Sequence, residues 1–376
     1  MIIRNANILT ERVGLLHGDL KIENGRIAAI HSDLHAEGDE VFDARGCILI
    51  PGLVDIHNHG FFGTEFASDD EEFDKGTTEL AKRGVTTVVP TLRCLPKDRL
   101  LSAIRNAKKE IARKPAGTKL GGINMEGPFV SPEKTGSMIR DNISAPNKED
   151  LAEYLAACEG ELKSITIAPE VPGVIDMIED ILFAGANPSI GHTCATFEQA
   201  KAAADAGANL VTHLYNAMTG FSHRSAGVVG EALLDDRLNC ELICDFVHNS
   251  PAAVALAIKN KGYDRIAMVS DTGRFSGLGD GVYVIEGQTR IVKDNRCQTT
   301  TGTIAGSVCD LFYDFKNLVT AGYPLAEVSR MASRNPARLI GLDYDRGTIE
   351  VGKAADLVLL SPSYDAAAVW VDGKRV

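Results

Sequence analysis

Ile48-Leu49-Ile50-Pro51-Gly52-Leu53-Val54-Asp55-Ile56-His57-Asn58-His59-Gly60 is an apolar run that stops at two histidines one residue apart. Strand side chains alternate faces, so His57 and His59 point the same way. Two neutral imidazoles on one face, at the end of a buried strand, can chelate a divalent metal with little rearrangement. Taken alone, the pair fits two edge-strand histidines equally well. The rest of the chain has to decide between them.

Downstream, apolar runs of strand length alternate with helical stretches. The runs read as strands are 53–57, 86–91, 122–126, 164–168, 188–192, 210–213, 241–245 and 265–271. Strands separated by helices in this order spell an α/β fold, a (β/α)8 TIM-like barrel. The helices carry their own punctuation. Thr196 is a hydroxyl start before good helix formers that run to a Gly207 stop, and Ser250-Pro251 opens a helix over 252–260. A glycine-rich segment at 277–281 and the polar strands up to Thr303 predict a hairpin insertion near 276–300.

Both chain ends have a different rhythm of short alternating strands and tight turns. Asn24-Gly25 sits between two such runs and signals a hairpin, and Asp372-Gly373 repeats the pattern. The expected organisation is therefore a small β-sandwich domain from 1–50 and 346–376 around a barrel domain at 51–345.

Composition narrows the function. The chain has 376 residues, of which 44% are hydrophobic and 24% charged, as in an ordinary globular protein. A formal charge of -12 without an acidic tail gives no reason to expect a nucleic-acid partner, and an anionic ligand would need a local basic group. The eight cysteines lack disulfide-framework spacing and read as reduced thiols, with Cys240 and Cys244 packed in the core. The opening residues alternate like a strand rather than a signal peptide, and no run has the length of a membrane span. A cytoplasmic location without membrane association is the expectation.

Barrel enzymes gather their chemistry at the carboxyl ends of the strands. Here the first predicted strand ends in His57 and His59, the third in Glu126, the fifth in His192, the sixth in His213 and the eighth in Asp271. These residue types hold zinc, iron, manganese or cobalt, and Glu126 supplies the anionic ligand a dication needs. Any one of them alone could be a cap or a satisfied core residue. Their recurrence at converging positions favours a metal site. Asp271 suits a general base on a polarised water, although it could also serve as a ligand.

Several segments now form a recognisable set: Pro51 to Gly60, Met125-Glu126-Gly127-Pro128-Phe129, Gly191-His192-Thr193, His213-Leu214-Tyr215-Asn216-Ala217-Met218, Val269-Ser270-Asp271 and Gly302-Thr303-Ile304-Ala305-Gly306-Ser307. In order and over nearly the whole chain, they resemble the N-acetylglucosamine-6-phosphate deacetylases of the amidohydrolase superfamily. The resemblance implies hydrolysis of an acetamide on an amino-sugar phosphate by one or two divalent ions, zinc first among them, in a homodimer. It makes Glu126, His192 and His213 ligands of the main metal, Asp271 the acid/base, and His57 and His59 ligands of a second ion bridged by Glu126. It also places Asn216, Ala217, His248 and Ile304 beside the substrate. Arg224 matches an arginine that binds the phosphate, often from the neighbouring subunit.

One position departs from the family pattern. A histidine commonly stands twelve residues beyond the motif glutamate, where this chain has Met138, and methionine cannot donate as histidine does. That points to an altered contact with the sugar or the acyl group, with His223 as a possible replacement and the galactosamine epimer as an alternative substrate. Amidohydrolases with a carboxylated lysine on the fourth strand are a further alternative, less well matched because Lys163 only precedes that strand. A non-catalytic sugar-phosphate-binding barrel is the alternative outside enzymes.

Overall fold

The computed structural model of the chain describes residues 1–36, 38–285, 288–302 and 304–376. Eight parallel strands form the barrel. They are β1 (Leu53–Asn58), β2 (Val85–Arg93), β3 (Ile123–Glu126), β4 (Leu162–Ile167), β5 (Asn187–Ile190), β6 (Leu210–Val211), β7 (Asn239–Leu242) and β8 (Ile266–Met268). Each pairs with the next, from β1 on β2 through to β7 on β8. The barrel is nearly closed by backbone bonds at its rim, where Asp271 N donates to His57 O at 2.9 Å and His59 N to Thr272 O at 2.7 Å.

All eight predicted strands are present, but β5 to β8 end two or three residues sooner than expected. The reason lies in the residues that follow. His192 (φ 47°), His213 (φ 28°) and Asp271 (φ 50°) adopt left-handed backbone, which ends a strand and swings the side chain over the barrel mouth. Conformations of this kind cost on the order of 1–3 kcal/mol each and collect at functional sites. The strand read as 241–245 similarly stops at Leu242. Asp245 there accepts from Val247 N and His248 N, both at 2.8 Å, in a side-chain turn that replaces the ladder.

The helices start and stop where their caps lie. Phe197–Ala206 has a capping box between Thr196 and Gln199 and ends at Gly207, and Pro251–Lys261 begins under the hydroxyl of Ser250. The insertion is a three-stranded antiparallel sheet of Gly281–Ile285, Gln288–Lys293 and Arg296–Thr299. Thr303, the end of that predicted segment and part of the Gly302 to Ser307 motif, lies outside the described residues.

Strands from both chain ends join in one eight-stranded sheet. Leu357–Leu360 pairs antiparallel with Ile48–Pro51, which also runs parallel to Ile2–Thr10. The sheet has its own apolar core, including Ile3, Leu20, Leu49, Leu357 and Trp370. The Asn24-Gly25 turn falls as predicted, with both residues at positive φ joining Gly14–Glu23 to Arg26–His31. Gly52 is the seam between sheet and barrel, and a Cβ there would overlap the Thr86 side chain. The opening stretch of sequence thus belongs to two layers, with Ile48–Pro51 in the terminal sheet and Leu53–Asn58 in the barrel.

Candidate active site and metal centre

The sequence-predicted ligands converge on Glu126. His192 Nε2 lies 2.9 Å and His213 Nε2 3.0 Å from Glu126 Oε1, and the two imidazole nitrogens are 3.1 Å apart. On the other side His59 Nε2 is 3.3 Å from Glu126 Oε2 and 3.4 Å from Asp271 Oδ1. His57 Nε2 completes that side, 3.5 Å from Glu126 and 3.7 Å from Asp271. Two groups result, one of His57, His59, Glu126 and Asp271 and one of Glu126, His192 and His213, sharing the Glu126 carboxylate.

For His192, His59 and His57 the other ring nitrogen explains why Nε2 faces inward, whereas His213 Nδ1 has no hydrogen-bond partner among the described residues. His192 Nδ1 donates to Lys134 O at 2.7 Å and His59 Nδ1 is 3.2 Å from Thr91 O. His57 Nδ1 lies 2.8 Å from the carboxylate of buried Glu241. Such partners fix the tautomer and leave the Nε2 lone pair for a cation. His57 Nε2 itself is buried and without a hydrogen-bond partner among the described residues. Buried polar atoms are rarely left so. Three inward Nε2 atoms around a shared carboxylate, with that orphan beside them, are a donor set that fits a divalent metal, and the second group can accommodate another.

Without a bound ion, burial alone would raise the Asp271 carboxyl, but the hydrogen bond from His59 and the charges that His57 and His59 then carry bring it down to about 2. Burial likewise opposes ionisation of Glu126, and the surrounding imidazoles overcome it and hold the group well below the usual carboxylate range. Asp55, buried in β1, accepts from Ser270 N at 3.2 Å and Ser270 Oγ at 2.6 Å just past the end of β8. It thereby ties the segment carrying Asp271 to the segment carrying His57. Ser307 N donates to Asp271 O at 2.9 Å, which docks the Gly302 to Ser307 motif against the acid.

A cavity of about 290 Å³ opens over these groups. Asn216, Ala217, His248 and Ile304 line it, as does Met138 at the departing position. His248 Nδ1 is 2.6 Å from Asp245 Oδ2. Arg224 and His223 are exposed and do not line the cavity of a single chain. Lys163 is also remote from the centre, its side chain packed against Gly122 at the amino end of β3. Sequence reasoning missed Glu241, Asp55, Asp245 and the arginines Arg93, Arg274 and Arg290 that line the cavity. A buried glutamate within the apolar run at 241–245 was a signal for the first of these. The arginines carried none, because only the folded loops bring them together.

Residues 48–376 match the amidohydrolase family model. N-acetylglucosamine-6-phosphate deacetylase of Bacillus subtilis is 31% identical over 96% of this chain and 93% of its own length. N-acetylgalactosamine-6-phosphate deacetylase of Escherichia coli O157:H7 is 31% identical over 99% of this chain and 98% of its own. The crystal structure of N-acetylglucosamine-6-phosphate deacetylase from Pasteurella multocida superposes with a TM-score of 0.92 at 30% identity, covering 100% of this chain and 99% of that one. The chain belongs to the amidohydrolase family and, within it, to the N-acetylglucosamine-6-phosphate deacetylase branch.

Proposed function

We propose that this protein hydrolyses the N-acetyl group of N-acetylglucosamine 6-phosphate, releasing acetate and glucosamine 6-phosphate. The observation that carries the reading is the Glu126 carboxylate shared by His192 and His213 on one side and by His57, His59 and Asp271 on the other, at the floor of a cavity. Glu126, His192 and His213 would hold the main ion, zinc first among the candidates with iron, manganese or cobalt also compatible, and His57 and His59 would help hold a second. A bound divalent ion there would polarise the amide carbonyl and acidify water.

The chain's own residues do the rest. Asp271, ionised at rest, takes a proton from the attacking water and returns it to the nitrogen as the carbon-nitrogen bond breaks. Asn216, the backbone of Ala217, His248 and Ile304 orient the sugar phosphate. His248 is suited to that task because Asp245 fixes its ring. Burial works against a charged His248, yet the Asp245 carboxylate more than offsets this and raises it. Arg224 reaches the phosphate from the partner of a homodimer, which accounts for its distance from the cavity of its own chain.

Catalysis is assigned to residues 51–345, and residues 1–50 and 346–376 supply the supporting sheet. No helix among the described residues is long and apolar enough to cross a membrane. The proposed role is in cytoplasmic amino-sugar catabolism. The test is acetate release by the metal-loaded protein from N-acetylglucosamine 6-phosphate and from N-acetylglucosamine. Turnover of the phosphorylated sugar should exceed that of the free sugar by orders of magnitude. Equal rates would remove the phosphate roles of Arg224 and Asn216, and no acetate from either would remove the function.

A further inference from the structure

The cavity has a second end. In an eight-stranded barrel β2 lies across from β6, so Arg93 faces the Asn216 side, and Glu65 ties Arg274 to Arg93. Asn216 and Ala217 follow β6 and His248 follows β7, whereas Arg93 ends β2, Arg274 follows β8 and Arg290 comes from the inserted sheet. Glu65, in the loop after β1, stands between two of these guanidinium groups, with Oε1 3.6 Å from Arg93 Nε and Oε2 3.6 Å from Arg274 Nε. Glu71 holds Arg274 from behind, 3.1 Å from its Nη2. Only 11% of the Arg274 side chain is exposed. Held guanidinium groups are preorganised forks for a carboxylate or phosphate.

An acetyl methyl makes no use of such groups, since it can offer only apolar contact. The amide must sit over Glu126, between the two ends of the cavity. With the amino-sugar phosphate on the Asn216 side, which is the reading above on which this inference rests, the acyl chain points toward Arg93 and Arg274. We propose that the enzyme has a further activity, hydrolysis of amino-sugar phosphate amides whose acyl group ends in a carboxylate, and that Arg274 and Arg93 bind that carboxylate. The chemistry balances as for acetate. Water oxygen bonds to the acyl carbon, the carbon-nitrogen bond breaks, a water proton passes to the amine, and a dicarboxylate leaves in place of acetate.

The experiment compares N-succinyl-glucosamine 6-phosphate with its neutral isostere, the N-succinamoyl compound, on the metal-loaded enzyme. The expected result is a kcat/KM at least about tenfold higher for the succinyl compound, a ratio set by charge recognition and insensitive to general damage. In Arg274→Gln, and separately in Arg93→Gln, the ratio should fall toward one, and Arg274→Lys should restore part of it. Two variants on different elements, the end of β2 and the loop after β8, keep the test valid if one fails to fold. A wild-type ratio near one, or a high ratio that survives in both variants, overturns the inference while leaving hydrolysis of the N-acetyl compound intact. No turnover of any N-acyl sugar phosphate, the N-acetyl compound included, overturns the deacetylase reading and this inference with it.

Discussion

Asp271 is the residue on which the proposed chemistry turns, and its surroundings separate its role from that of the ligands. It touches only the group containing His57 and His59, while Glu126, His192 and His213 form a complete set without it. Asp271→Asn should therefore retain the main metal, measured as metal content after dialysis, while turnover falls by about 10²–10⁴-fold. Near-normal turnover in that variant would show that the proton travels by another route. Glu241 makes a sharper case for positioning. Its carboxylate, 2.8 Å from His57 Nδ1, fixes which nitrogen of His57 faces the centre. Glu241→Ala should weaken retention of a second equivalent of metal by about 10–100-fold and leave the first equivalent in place. Equal loss of both equivalents would mean that Glu241 supports the whole centre, through the 3.3 Å bond it also accepts from His213 N.

At the scale of elements, most of the site was legible because barrel strands read as apolar runs and their ends carry the polar residues. His57 and His59 reach the same group although β1 ends at Asn58, and Glu126 ends β3 as expected. The exact strand ends were not legible. Left-handed backbone at His192, His213 and Asp271 is set by how the loops pack over the barrel mouth, and periodicity carries no trace of that. The turn after β7 was hidden for the same reason, and it makes a stability prediction. Burial raises the Asp245 carboxyl, but the bonds from His248 and from two backbone N–H groups outweigh it and lower it. The folded value lies below the unfolded one, so the stabilisation is present above the usual carboxylate range and is lost as pH falls through the folded value. His248 is raised, so its share is complete below its ordinary value and fades as pH climbs through the raised one. Asp245→Asn should cost about 1.5–3 kcal/mol near pH 6 by urea unfolding, and the gap to wild type should narrow toward pH 3. A gap independent of pH would assign the loss to packing alone.

At the scale of the whole molecule, the homodimer proposed above would decide whether one chain holds a complete site. The sequence pointed to Arg224 through a family resemblance, and no reading of a single chain could say which site it serves. It lies in the tight turn from Ser222 to Ser225, beside Phe221, which is 64% exposed, and apart from its own chain's cavity. An exposed aromatic next to an exposed arginine on the loop after β6 is what a contact across a twofold axis would cover, and such a contact delivers each arginine to the other subunit. Complementation tests this directly. Asp271→Asn and Arg224→Ala homodimers, each nearly inactive on N-acetylglucosamine 6-phosphate, are mixed in equal amounts under conditions that exchange subunits. If Arg224 acts across the interface, the mixed dimer contains one site with an intact Asp271 and an intact Arg224 supplied by the partner. Random exchange makes half of the dimers mixed, so activity should rise to about a quarter of wild type. If Arg224 serves its own chain, every site in the mixture lacks one of the two groups, and exchange restores nothing.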